Sequence, residues 1–327
     1  MALSLSDKWL WDFWFARDGA DYHVFYLQAP KSLEHESQRH FNVSIGHAVS
    51  QDLKTWTVLA DALKPSDPAL DALDNYTTWT GSILKYEGLW YMFYTGSSLQ
   101  EKGLIQRIFL ATSGNLLDWQ KYGPPVIEAD PRWYEKLDLT IWLDEAWRDP
   151  FVCQDETGLF HAFITARANE GPADARGVIG HATSKDLLSW QVRPPVSPGG
   201  DFAYLEVPQV SRLKGGYYLL FAVTHDKFSK TRLERSKPET GMHYLRADKL
   251  TGPYKLMQDK FMLADTSGSL YSGKFLYDPR GNLVFMAFEN YSPEGKFIGS
   301  LTDPFPVTQL SDGRLEVDLS SKFEMTP

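Results

Sequence analysis

Apolar and polar residues alternate over short runs along most of the chain, and glycine-containing turns interrupt the runs. That is the rhythm of half-buried strands, and helical periodicity is sparse. Five runs are rich in aromatic and β-branched residues: 22–27 (YHVFYL), 89–95 (LWYMFYT), 159–165 (LFHAFIT), 217–223 (YYLLFAV) and 282–288 (NLVFMAF). Each follows a turn pair: Asp18-Gly19, Glu87-Gly88, Thr157-Gly158, Gly215-Gly216 or Arg280-Gly281. A tight turn before an apolar run predicts a hairpin, and the partner strands are 11–15, 79–83, 148–152, 205–210 and 270–275. A third element follows each hairpin. Residues 45–56 (IGHAVSQDLKTW) and 179–190 (IGHATSKDLLSW) agree at eight of twelve positions, and 108–119 keeps the same frame. Segments 242–254 and 297–305 are looser relatives.

The chain therefore reads as five copies of strand, hairpin strand, third strand, a Ser-x-Asp-Leu-like turn and a fourth strand. The predicted fold is all-β: a five-bladed β-propeller with four antiparallel strands per blade, in one domain over residues 1–327. Each copy is longer than a minimal propeller repeat. The surplus is assigned to loops, the longest at 59–78, 123–147 and 224–241. Asp52-Leu53-Lys54 and Asp186-Leu187-Leu188 read as single helical turns, and Lys230 to Lys237 as a solvated loop over the fourth blade. A repeat-free β-sandwich is the competing fold; five ordered triplets argue against it.

Composition narrows the function. The 327 residues are 43% hydrophobic and 14% aromatic, with 11 Trp, and the net charge is −9. An acidic chain does not suit a phosphate backbone, so no nucleic-acid partner is expected. No run of apolar residues is long enough for a membrane helix, and no membrane partner is expected. The N-terminal residues lack a signal-peptide pattern, which points to the cytoplasm. Cys153 stands alone and the eight His show no ligand spacing, so no disulfide, metal or cofactor is expected.

The first strand of each propeller blade lines the central channel. Here these strands carry Asp12, then Thr80 and Ser82, then Arg148 and Asp149, then Glu206, then Tyr271 and Lys274. Three carboxylates, Asp12, Asp149 and Glu206, are thus aimed at one pocket, each set in apolar sequence. Repulsion and partial desolvation push such groups apart in pKa, as glycoside hydrolysis requires of its acid and its nucleophile. Trp9, Trp11, Trp14, Trp79 and Trp142 lie on or near these strands, and indole faces pack against sugar rings. His47 and His181 occupy equivalent third-strand positions, which favours a structural role for both.

These motifs resemble glycoside hydrolase family 32 and its clan, the β-fructosidases, over nearly the whole chain. Arg148-Asp149-Pro150 is similar to the family's Arg-Asp-Pro motif and Glu206-Val207-Pro208 to the segment of its acid/base Glu. Gly46-His47-Ala48-Val49-Ser50 with Asp52, Leu53 and Trp56, Trp79-Thr80-Gly81-Ser82 and Phe93-Tyr94-Thr95-Gly96 match further family segments. Trp11-Asp12-Phe13-Trp14 departs from the usual nucleophile motif and is closer to the Trp-Asp-Ser-Trp of family 68. The C-terminal β-sandwich of most family members is not expected. The resemblance implies a retaining β-fructofuranosidase acting on a small carbohydrate such as sucrose or a fructo-oligosaccharide. Asp12 is then the nucleophile, Glu206 the acid/base and Asp149 the transition-state stabiliser, with Trp11, Trp14, Gln28, His47, Trp79, Ser82, Arg148 and Tyr271 binding substrate. A family 43-like furanosidase, a fructosyltransferase and a carbohydrate-binding propeller without turnover are the alternatives.

Overall fold

The structure, a computed structural model, describes residues 3–320. Five antiparallel sheets follow one another along the chain, and each is ordered by sequence from inner to outer strand. Blade 1 comprises Lys8–Asp18, Asp21–Pro30, Ser44–Ser50 and Thr57–Val58; blade 2 comprises Thr77–Tyr86, Leu89–Ser97, Arg107–Ser113 and Gln120–Lys121. Blade 3 comprises Trp147–Gln154, Phe160–Arg167, Gly177–Ser184 and Trp190–Arg193; blade 4 comprises Glu206–Leu213, Gly216–Val223, Thr240–Ala247 and Lys255–Leu256. In blade 4 a further strand, Leu263–Asp265, also pairs with the third. In blade 5, Leu270–Tyr277 and Leu283–Tyr291 form the hairpin, the third strand is split into Phe297–Leu301 and Phe305–Gln309, and Leu315–Val317 is outermost. The ring closes where Leu3 bridges Leu301, tying the start of the chain to blade 5. This is the five-bladed propeller that the repeats predicted.

The repeat has a packing reason. Trp119, Trp190 and Tyr254 end the motif in blades 2, 3 and 4. Each meets, edge-on, a second-strand Phe of the preceding blade: Phe25, Phe93 and Phe163, with ring centroids 5.7, 5.5 and 6.4 Å apart. Aromatic pairs of this kind contribute about 0.5–1.5 kcal/mol beyond their buried area. The Ser-x-Asp-Leu segments are turns of left-handed backbone, not the helical turns expected. Leu53, Leu116 and Leu187 have φ of 64°, 66° and 66° and are fully buried. In the first, the Ser50 hydroxyl accepts the amides of Asp52 and Leu53, and the Asp52 carboxylate accepts those of Lys54 and Thr55. These local bonds offset an unfavourable φ that the buried leucine side chain requires.

Residues 230–237 also differ from expectation. Lys230–Leu233 form one helical turn capped by Ser229. Arg232 within it is fully buried, with one guanidinium nitrogen 2.5 Å from Asp259, so the segment is pinned to blade 4.

Candidate active site

Each inner strand is bulged at the same height. The register with the second strand skips between Trp11 and Phe13, between Trp79 and Gly81, at Asp149-Pro150, at Val207-Pro208 and at Ser272-Gly273. A bulge bends its strand and re-aims a side chain. Asp149, Val207 and Ser272 hold φ of 57°, 53° and 49°, a sparsely populated region for such residues and a mark of functional backbone. The local sequence dictates these bulges. Proline follows Asp149 and Val207 and supplies no ladder donor. Glycine follows Thr80 and Ser272, and a Cβ there would lie 2.1 Å from the Phe93 carbonyl oxygen or the Phe285 ring.

The bulges surround a cavity of about 480 Å³ at the propeller axis. Asp12, Asp149, Glu206, Trp11, Trp79, Arg148 and Tyr271 all line it. Asp12 accepts hydrogen bonds from Thr80 (2.7 Å) and Ser272 (2.5 Å), one on each carboxylate oxygen. Burial pushes its pKa up; the two hydroxyls oppose that rise and repulsion from Glu206 adds to it. Asp149 is 5% exposed and accepts from the Thr165 hydroxyl at 2.9 Å and the Val207 amide at 3.2 Å. Burial lifts it to about 7, against the attraction of Arg148 and with the repulsion of Asp12 and Glu206.

Glu206 is held at both oxygens, by Arg148 at 2.7 Å and by the Tyr271 hydroxyl at 2.7 Å. Arg148 also reaches Gln106 at 3.0 Å, Asp144 at 3.4 Å and Asp149 at 3.7 Å, with its guanidinium over the Tyr204 ring. Burial works against its charge, but Glu206, Asp144 and Asp149 outweigh burial and keep it protonated. The floor of the site thus holds several carboxylates and a fixed guanidinium in a partly dry space, where each interaction is stronger than in water.

Four residues expected at the site lie elsewhere. Ser82 sits on the far side of the blade 2 bulge, where its hydroxyl accepts the Val152 amide of blade 3; Thr80 takes the cavity position. Trp14 is buried and stacks on Phe25 within blade 1. His47 is buried on the same Phe25, 4.1 Å between centroids, and its Nε2 pairs with His23. His181 repeats this arrangement against Phe163 and His161. Gln28 is buried and donates to Ser44 and Asp61.

The structure adds residues that the spacing did not indicate. The 3-10 turn Glu36–Phe41 brings Arg39, His40 and Phe41 to the cavity wall, and the His40 carbonyl accepts the Trp79 indole N–H at 2.7 Å. Burial, with Arg39 and Arg148 nearby, holds His40 down at about 3, so the imidazole is neutral. Gln106, Asp144 and Asn290 also line the wall. Of the segment 224–241, Thr224 alone does so among the described residues. The described residues contain no His, Cys, Asp and Glu grouping suited to a metal ion.

The family described as Glycosyl hydrolases family 32 N-terminal domain matches residues 14–298. The chain is 24% identical over 287 residues to a sucrose-6-phosphate hydrolase of Bacillus subtilis, covering 82% of this chain and 51% of that protein. It is 33% identical over 138 residues to a 6(G)-fructosyltransferase of Asparagus officinalis, covering 36% and 21%. It thus spans about half the length of the first and a fifth of the second. Among solved structures, an inulosucrase from Halalkalicoccus jeotgali bound to kestose superposes with a TM-score of 0.81 at 22% identity, over 96% of this chain and 87% of that one.

Proposed function

The chain belongs to glycosyl hydrolase family 32, and from that membership we propose that it cleaves β-fructofuranosides such as sucrose or short fructo-oligosaccharides with net retention. One observation carries the reading. Asp12, Asp149 and Glu206 project from three different inner strands into a single cavity, and each is held by donors from a neighbouring blade. A binding protein has no use for three carboxylates forced together at this electrostatic cost; an acid and nucleophile pair does.

In the first step Glu206 gives its proton to the glycosidic oxygen while an Asp12 oxygen attacks the anomeric carbon. The C–O bond to the leaving sugar breaks and a fructosyl ester forms. Glu206, now a carboxylate, takes a proton from water as that water attacks the same carbon and releases Asp12. Thr80 and Ser272 fix both Asp12 oxygens, so the nucleophile meets the ring in one orientation. Arg148 and Asp149 grip sugar hydroxyls at the floor. Trp11 and Trp79 supply flat faces for the ring.

Transfer to a second sugar is the other reading. The exposed Phe41 and Leu143 at the cavity wall favour it, because they offer an apolar platform for an acceptor. Both readings share the fructosyl ester.

The test is sugar release from sucrose, kestose, inulin, levan and aryl arabinofuranosides, with products read by NMR. Fructose, or fructosyl oligomers, from the fructosides is expected. Pentose release with silence on fructosides would move the enzyme to another furanoside.

A further inference from the structure

Lys274 lies on the inner strand of blade 5 and the fructosidase steps above leave it without a role. It is 5% exposed, and its ammonium donates to the Val207 carbonyl at 3.0 Å. Val207 is the left-handed bulge residue directly after Glu206.

That bond completes a ring of hydrogen bonds around the axis. Thr80 of blade 2 donates to Asp12 of blade 1. Thr95 donates to the Thr80 carbonyl and accepts the Asp149 amide, joining blade 2 to blade 3. Asp149 accepts the Val207 amide, joining blade 3 to blade 4. Lys274 donates to the Val207 carbonyl, joining blade 5 to blade 4, and Ser272 donates to Asp12, joining blade 5 to blade 1. Gln209 reinforces the blade 4–5 seam by bonding both backbone groups of Phe275. Lys274 is the cationic member of this ring, and the ring passes through two of the three carboxylates.

We propose that Lys274 is a positioning residue of the reaction: from beneath the cavity it holds the bulge that aims Glu206 and supplies the positive charge facing Asp12 and Asp149. Four further titratable or charged groups act on the two carboxylates: Glu206 on blade 4, Tyr271 on the strand of Lys274, Arg148 on blade 3 and Arg39 on the 3-10 turn of blade 1. Arg148 is already engaged by Glu206, Asp144 and Gln106. Asp12 receives only hydroxyl donors. Lys274, on the blade 5 side, attracts Asp12 electrostatically. Burial lowers Lys274 to about 8 while Asp12 and Asp149 hold it up, so it carries its charge at neutral pH.

This inference rests on the fructosidase reading. The experiment compares wild type with Lys274→Met, which keeps the stem and removes the charge, and with Lys274→Arg, which keeps the charge. Initial rates on sucrose are taken from pH 4 to 9, with thermal unfolding on the same samples. For Lys274→Met we expect kcat to fall at least tenfold with KM within about threefold, the acid limb of kcat/KM to rise by about one pH unit, and Tm at pH 7 to fall, because the Val207 carbonyl and the two buried carboxylates lose a partner. Lys274→Arg is expected to keep the wild-type acid limb. An unmoved acid limb in Lys274→Met overturns the proposal, as does a loss of Tm with kcat spared, the result of a purely structural lysine. If Lys274→Met does not fold, a Lys274→Arg acid limb displaced from wild type overturns it. A wild type silent on every fructoside refutes the fructosidase reading instead; an unchanged Tm in Lys274→Met would then still reject the buried charge pairing.

Discussion

Asp149→Asn isolates the electrostatic strain stored in the site. Wild-type Asp149 is raised from 3.8 to about 7 because its carboxylate is buried. A shift of roughly 3 units corresponds to about 4 kcal/mol at 1.36 kcal/mol per unit. The sign follows from proton uptake. Between pH 3.8 and 7 the folded protein binds more protons at this position than the unfolded chain, so stability falls as pH rises through that window. Below it the cost is absent, and above it the cost is complete. Asparagine is nearly isosteric, and its carbonyl oxygen still accepts from Thr165 and from the Val207 amide. It never ionises. The variant therefore gains up to about 4 kcal/mol over wild type at pH 8, or roughly 4–8 °C in Tm for a chain of this size, while turnover drops by ~10²–10³-fold. Tryptophan-fluorescence melts at pH 4, 5, 6, 7 and 8 read the effect. The gap between variant and wild type is expected to be near zero at pH 4, to open between pH 4 and 7 and then to stay level. A gap independent of pH, or a variant less stable than wild type at pH 8, would mean that ionising Asp149 costs the fold nothing.

Glu206→Gln is expected to fold normally and lose ~10²–10⁴-fold in kcat, the usual worth of a general acid; circular dichroism and sucrose turnover check both halves. Thr80→Val removes one of two hydroxyl donors to Asp12. A hydrogen bond to a charged group is worth about 1.5–3 kcal/mol, so the acid limb of kcat/KM is expected to rise by about 1–2 units while Ser82→Ala leaves it in place. Glu135→Gln breaks the pairing of the fully buried Arg167, bonded at 2.8 Å, and of Arg176. It is expected to destabilise by about 3–5 kcal/mol in urea melts, without altering KM in the fraction that stays folded. Ser50→Ala strips the acceptor from two turn amides and is expected to cost about 1–2 kcal/mol in the same melts.

The blades were legible because each one solves the same packing problem with the same residues. A Phe on the second strand needs an aromatic from the next blade, so the motif-ending Trp119, Trp190 and Tyr254 recur in frame. Asp12, Asp149 and Glu206 were legible because inner-strand polar residues stand out in apolar sequence. Choosing between Thr80 and Ser82 was harder. Alternation puts both on one face, and the bulge then separates them. The clue was present in Thr80-Gly81 and Ser272-Gly273, parallel to Asp149-Pro150 and Val207-Pro208: a small or donor-free residue follows four of the five bulge positions. Arg39 and His40 carried no such clue. They reach the cavity through a short 3-10 turn between the second and third strands of blade 1, and their placement depends on contacts with Trp11, Trp79 and Phe297 that are distant in sequence. His47 misled because its segment resembles a family motif, whereas its buried stacking on Phe25 explains it.

The proposed reaction turns on a fructosyl ester on Asp12. It is tested most directly by turning over sucrose in dilute methanol and identifying the first methyl fructofuranoside by NMR, because the methyl group freezes the anomeric configuration. The β anomer as sole early product, formed by wild type and absent with Asp12→Asn, is the predicted result. The α anomer, or undiminished product from Asp12→Asn, would contradict it.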